Sequence, residues 1–256
     1  MFKNVIVRTP CAAMVHGITG SPELGKPNYE KALLQHKAYI EAMEKCGVTV
    51  TVAQPDERFP DSCFVEDVAI VTDQGAVITN PGAASRNREV DLILPVLKRF
   101  YQDNNIYYIK APGTLDGGDV MMVENHFYVG LSDRTNEEGA HQLIKFLEDF
   151  GYTGSVMRVE GLLHLKTGMT YIGENRLLVS KRFADSPELV KFEKIVVDYD
   201  EEYCANCINV NGKLIVPAGY PNTLKKLQTL GMEIILVEMS EYKKIDGGLT
   251  CLSLRF

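Results

Sequence analysis

Asp119-Val120-Met121-Met122-Val123-Glu124-Asn125-His126-Phe127-Tyr128-Val129-Gly130-Leu131 reads as two strands, Asp119–Val123 and His126–Leu131, paired across Glu124-Asn125. A helix follows, with Thr135 and Glu138 spaced as a capping box and an apolar stripe of Ala140, Leu143, Ile144 and Leu147. A strand at Ser155–Val159 then completes a strand–strand–helix–strand unit.

The unit recurs in both directions. Upstream, Asp67–Thr72 and Ala76–Thr79 pair around Asp73-Gln74-Gly75, Val90, Ile93, Leu94, Leu97 and Tyr101 keep helical spacing, and Ile106–Ile109 is the last strand. Downstream come Gly168–Gly173, Arg176–Ser180, a short helix opened by Ser186-Pro187-Glu188, and Ile195–Val197. Next are Cys207–Val210, Lys213–Pro217, a helix started by Asn222, and Glu233–Val237. The fifth unit is split between the two ends of the sequence: Cys251–Arg255 pairs with Asn4–Arg8, ahead of a helix from about Asn28 to Cys46 and a strand Val48–Ala53. A period of roughly 45 to 50 residues marks a stacked or circular array. With both ends in one unit, a ring closed around a central cavity is expected. The hairpin before each helix argues against a doubly wound parallel sheet, whose strands need crossovers.

The chain has 256 residues, 45% apolar and 24% charged, as an ordinary globular protein does. The expectation is a single domain over 1–256. A net charge of −7 disfavours nucleic acid, which requires clustered Lys and Arg, and is compatible with a small cationic ligand. No apolar run approaches the roughly 18 residues of a membrane span. The stretch Met1–Arg8 is too soon charged for a secretory signal, so free thiols in the cytoplasm are expected for the six cysteines. Cys204-Ala-Asn-Cys207 has C-x-x-C spacing, but no second pair completes a metal site, and two partly buried thiols beside a strand are the simpler reading.

Chemistry concentrates in a few stretches. Ile245-Asp246-Gly247-Gly248-Leu249-Thr250-Cys251 delivers a cysteine onto a short apolar strand, and His164 stands in a second apolar strand, Leu162-Leu163-His164-Leu165. A Cys and a His far apart in sequence suit nucleophilic thiol catalysis. Asp61, Glu66 and Asp67 lie in seven residues beside a strand, as an exposed acidic loop or as acceptors for a planar guanidinium. In Asp116-Gly117-Gly118-Asp119 the glycines force a close turn, and Asp116 could orient an imidazole. Arg86 and Arg134 occupy equivalent strand-to-helix places, as helix-end decoration or as grips for a carboxylate, and Arg182 holds a third such place. Of the other histidines, His36 falls on a helix stripe and reads as core, His141 as exposed, and His126 as a hairpin residue. His16 lies in a glycine-containing loop, Ala12–Lys26.

Together these segments resemble the dimethylarginine dimethylaminohydrolase family of the guanidino-group-modifying superfamily. The resemblance rests on Arg58–Ser62 with Phe64–Asp67, Thr114–Asp119, Ser132–Asn136, Leu163–Thr167, Ala205–Ile208 and Ile245–Cys251, in the family's order. It implies an α/β fold, the five-bladed α/β propeller or pentein with pseudo-fivefold symmetry. It implies Cys251 as nucleophile, His164 as general acid and base, and Asp116 as the group that holds His164. It further implies Asp61, Glu66 and Asp67 as guanidinium binders, Arg86 and Arg134 as carboxylate binders, and Ile18, in a lid, and Ile245 as contacts to the amino-acid end. No metal or other cofactor is implied, and a homodimer is compatible with it. The implied reaction converts methylated arginine to citrulline and an amine. Arginine or agmatine deiminases are the nearest alternative. They carry an acid two residues after the catalytic His, where this chain has Lys166. A binding module without activity and a Cys204/Cys207 redox protein are the readings from other classes.

Overall fold

The computed structural model describes all 256 residues. In the first blade, β1 (Asn4–Arg8) is followed by α1 (Tyr29–Lys45) and β2 (Thr49–Ala53). The second holds β3 (Ala69–Val71), β4 (Ala76–Ile78), α2 (Val90–Leu97) and β5 (Ile106–Tyr108). The third holds β6 (Val120–Val123), β7 (His126–Leu131), α3 (Glu137–Asp149) and β8 (Thr153–Arg158). A one-turn helix α4 (Leu165–Gly168) leads into the fourth, β9 (Met169–Gly173), β10 (Arg176–Val179) and β11 (Glu193–Val196). The fifth is β12 (Ile208–Val210), β13 (Lys213–Pro217), α5 (Pro221–Gln228) and β14 (Glu233–Val237). After α6 (Ser240–Lys243), β15 (Leu254–Arg255) returns to the first blade.

Every blade is a three-stranded sheet of one design: an inner strand antiparallel to the middle one, and an outer strand parallel to it. The antiparallel step needs only a tight turn, whereas the parallel step needs a crossover. Four blades cross over through a helix. The fourth uses only the 3-10 turns Lys181–Phe183 and Pro187–Leu189, so the short helix expected from Ser186-Pro187-Glu188 is a single three-residue turn. Pairing of Val5 with Arg255 and Ile6 with Leu254 closes the ring in the first blade. Residues of β3, β6, β9, β12 and β15 together line one cavity at the hub. The closed ring expected from the repeats, and the five-bladed α/β propeller that the resemblance implies, are the fold observed.

The helices begin where the side chains can cap them. Asn28 accepts from Lys31 N at the start of α1 and Asn136 from Gly139 N at the start of α3. The cap of α3 is therefore Asn136, and Thr135 turns its hydroxyl to Asp119 instead.

Differences from expectation cluster where strands reach the hub. Val65–Val68 and Gly117–Asp119 are 3-10 turns, so β3 and β6 begin one or two residues later than the pattern suggests. Cys251 sits in a 3-10 turn, Thr250–Leu252, and not on a strand. His164 is the N-cap residue of α4, also not a strand residue. Both stretches are continuous apolar runs, and periodicity alone cannot separate a buried strand from a buried turn.

Candidate active site

The turn that carries Cys251 is preceded by two glycines in close quarters. A Cβ on Gly247 would strike the Phe64 ring, and one on Gly248 would lie 2.5 Å from Asn206 Cγ. This closeness lets the Gly248 N–H point at Cys251 Sγ, 3.4 Å away. Cys251 is the one cysteine of the six that is not buried. Burial of its sulfur within the cavity wall, together with the charges of Glu66 and Asp67, pushes its thiol up to about 12. The resting group is a thiol.

His164 is fixed on three sides. Its N–H donates to Thr167 Oγ1, and Asp119 accepts from the next N–H, that of Leu165, at 2.9 Å. The imidazole Nε2 lies 3.0 Å from Asp116 Oδ2. A Cβ on Gly118 would stand 2.6 Å from Nδ1, so the Asp-Gly-Gly-Asp turn needs glycine for the ring to fit. Burial opposes the imidazolium, but Asp67, Asp116 and Asp119 outweigh it and lift His164 to about 9. Donor atoms of Asp67, Asp116 and His164 all lie within 4.8 Å of one another. Burial opposes the Asp116 charge too. His164, Arg86 and the Gly82 N–H nevertheless hold that carboxyl below the usual carboxylate range.

One cavity joins these groups. It is lined by Cys251, His164 and Asp116, by Asp61, Asp67, Arg86 and Arg134, and by Ile18 and Ile245. Nine of the ten residues expected from the sequence thus meet there. The exception is Glu66. Consecutive residues of a 3-10 turn point about 120° apart, so Asp67 faces the Cys251 cavity while Glu66 faces the cavity at the other end of the hub. Glu66 Oε1 there accepts from Lys166 Nζ at 2.6 Å and from Arg255 Nη2 at 2.7 Å. Lys166 therefore leaves the cavity wall and neutralises a buried carboxylate behind it.

The two arginines differ. Arg86 is buried, with Nη1 on Asp67 at 2.5 Å, Nη2 on Glu89 at 2.8 Å, and further bonds to the Asp61 and Phe64 carbonyls. Arg134 lines both the inner cavity and a wider vestibule outside it. Arg182 lines neither and pairs with Glu202 at 3.2 Å.

The loop that carries Ile18 borders the cavity. Ile18 N donates to Asp61 Oδ1 at 3.0 Å, Gly20 N to Asp246 Oδ2 at 2.5 Å, and Glu57 accepts from Ala12 N and Ala13 N at the start of the loop. Asp246, Phe64 and Leu163 also line the cavity and were not singled out in the sequence. Asp119 was likewise passed over, although it stands in the same Asp-Gly-Gly-Asp motif and is fully buried. His36 is buried and His141 exposed, as expected, while Cys204 and Cys207 are fully rather than partly buried.

A sequence profile of the family described as N,N dimethylarginine dimethylhydrolase, eukaryotic, matches residues 23–248. The N(G),N(G)-dimethylarginine dimethylaminohydrolase of Pseudomonas aeruginosa is 52% identical over 256 residues, all of both chains. The enzyme of that name from Streptomyces coelicolor is 34% identical over 254 residues, 99% of this chain and 96% of that one. A crystal structure of the Pseudomonas aeruginosa protein, a Cys-to-Ser mutant complexed with citrulline, superposes with a TM-score of 0.97 over 100% of both chains. The chain belongs to the dimethylarginine dimethylaminohydrolase family.

Proposed function

We propose that this chain hydrolyses Nω-methylated arginine, dimethylated or monomethylated, to citrulline and dimethylamine or methylamine, with Cys251 as nucleophile and His164 as proton donor and then acceptor. The observation that carries the reading is one cavity that holds Cys251, the His164–Asp116 pair and the carboxylates Asp61 and Asp67. No helix in the fold is long and apolar enough to cross a membrane. Residues 1–256 act as one unit in this reading, because Cys251 at one end of the chain shares a cavity with Ile18 near the other. Free thiols and no disulfide suit a reducing cytoplasm.

The substrate brings a delocalised positive charge to a wall of carboxylates. Asp67 and Asp61 hold that cation in one orientation, and Arg134 takes the carboxylate at the far end. Ile18 and Ile245 enclose the amino-acid end. The cation also offsets the negative field that keeps Cys251 protonated, so the thiol loses its proton to solvent when substrate binds. The sulfur forms a bond to the guanidinium carbon. The C–N bond to the methylated nitrogen breaks as His164, already protonated, gives that nitrogen its proton, because an amide anion is not a viable leaving group. The amine departs and a thiouronium adduct remains. Water then attacks the same carbon and gives its proton to His164, and the C–S bond breaks to release citrulline and the thiolate. The route draws on the chain's own groups and needs no metal or organic cofactor.

Lys166 favours methylated substrates over arginine. The place where deiminases present an acid is turned toward Glu66, so nothing there demands two donated hydrogen bonds from the distal nitrogen. The test is a panel of arginine, monomethylarginine, asymmetric dimethylarginine and agmatine, with citrulline and released amine both quantified. Methylated amine in step with citrulline is the expected result. Ammonia from arginine as the dominant product would replace this reading with a deiminase.

A further inference from the structure

Asn206 is buried between the two catalytic segments and lines the vestibule, not the inner cavity. Its Nδ2 donates to the Lys166 carbonyl at 2.9 Å and to Thr250 Oγ1 at 3.0 Å, and its Oδ1 accepts from Thr250 N at 3.0 Å. Lys166 lies two residues after His164, and Thr250 directly precedes Cys251. The amide orientation is fixed, because a backbone N–H can only donate and a carbonyl can only accept. The segment itself is pinned from both sides: Thr170 Oγ1 donates to the Ala205 carbonyl at 2.8 Å and accepts from Cys207 N at 3.2 Å. Gly248 packs flat on the amide, with room for no Cβ.

We propose that Asn206 is a positioning residue that sets Cys251 at its working distance from His164 by tying the α4 turn to the Thr250–Leu252 turn. The inference rests on the reading of Cys251 as nucleophile and His164 as proton carrier. One planar side chain joins the two turns, which blades four and one bring to the hub from positions 84 residues apart, Lys166 and Thr250. Without it the Lys166 carbonyl and Thr250 N–H lose their partner and the two turns move independently. A displacement of about 1 Å in reacting groups can cost about a hundredfold in rate.

The experiment compares Asn206→Ala, Asn206→Asp and Thr170→Val with the parent on asymmetric dimethylarginine, with folded fraction followed by near-UV circular dichroism. Asn206→Asp keeps the volume and the acceptor for Thr250 N but cannot donate to the Lys166 carbonyl. Both Asn206 variants should lose about ten- to a hundredfold in kcat with KM changed less than about threefold, because the amide touches none of the substrate-holding groups. The alkaline limb of their kcat–pH profile should also move, which a purely structural loss would not produce. Thr170→Val loosens the same segment without joining the catalytic turns and should keep kcat within about threefold. A folded Asn206→Ala or Asn206→Asp with parental kcat, or a loss confined to KM or to folded fraction, would overturn the proposal. If Asn206→Ala does not accumulate, Asn206→Asp alone decides. Cys251→Ser, measured in parallel, separates the two levels. An active Cys251→Ser overturns the nucleophile and this inference with it, whereas a dead Cys251→Ser beside a fully active Asn206→Asp overturns the positioning role alone.

Discussion

The hub has two ends, and adjacent residues of one turn supply both. Asp67 faces the Cys251 end, where it lies close to Asp116 and His164. Glu66 faces the other end, where Lys166 and Arg255 neutralise it. The first end sets Asp61, Asp67 and Asp116 among His164, the buried Arg86 and the more open Arg134. The second carries its own cations, both on Glu66 Oε1. Sequence neighbours in an acidic stretch can thus face opposite ends of one hub, and the division follows from the geometry of a tight turn.

The comparison breaks most easily at the sulfur. Cys251→Ser should reduce citrulline formation by at least about a thousandfold while the protein stays folded, since a serine hydroxyl in that cavity has no base poised to activate it. Citrulline assays with circular dichroism on the same sample check this. At the other end, Glu66→Ala should cost about 3–5 kcal/mol of stability, because it leaves the buried Lys166 without its carboxylate and takes the ion partner of the half-buried Arg255. Urea unfolding measures that loss, and a variant of parental stability would show that the second end is not an ion-paired structural unit.

The arginines sharpen the contrast. Arg134→Ala should raise KM about ten- to a hundredfold with kcat nearly kept, as expected for one charge-assisted bond to substrate. Arg86→Ala should lower stability and kcat together, because Asp67 and Glu89 lose their shared partner.

Protonation offers a subtler probe. His164 is raised to about 9 from an ordinary 6.5, so its contribution to stability is complete below pH 6.5 and is lost as pH climbs through 9. Unfolding free energy measured across that window should fall in the parent and fall less in Asp116→Asn. The alkaline limb of kcat, which follows the same proton, should move to lower pH in that variant. The smallest effect is expected at the loop that carries Ile18: Asp246→Ala removes one bond to Gly20 N and should change KM by about threefold.

The repeat was legible in the chain because in four of the five blades the strand pair is followed by a helix and then an outer strand, at a near-constant spacing. The site was legible because cysteine, histidine and the Asp-Gly-Gly-Asp turn are unusual in apolar surroundings. What failed was local direction. Leu162-Leu163-His164-Leu165 is apolar on every side, and only the bonds from Asp119 to Leu165 N and from His164 N to Thr167 reveal a helix start. The bonds of Glu66 were not legible because its partners, Lys166 and Arg255, are remote in sequence, and no local pattern announces them. Asn206 makes all its catalytic-side bonds to segments 40 and 44 residues away, so it too is silent in a linear reading.

The first sheet ties the turn that carries Cys251 to the closure of the ring. Cys251 stands three residues before β15, which pairs with β1 through Val5–Arg255 and Ile6–Leu254. Opening that short antiparallel seam would release the turn along with it, so the seam and the cavity stand or fall together.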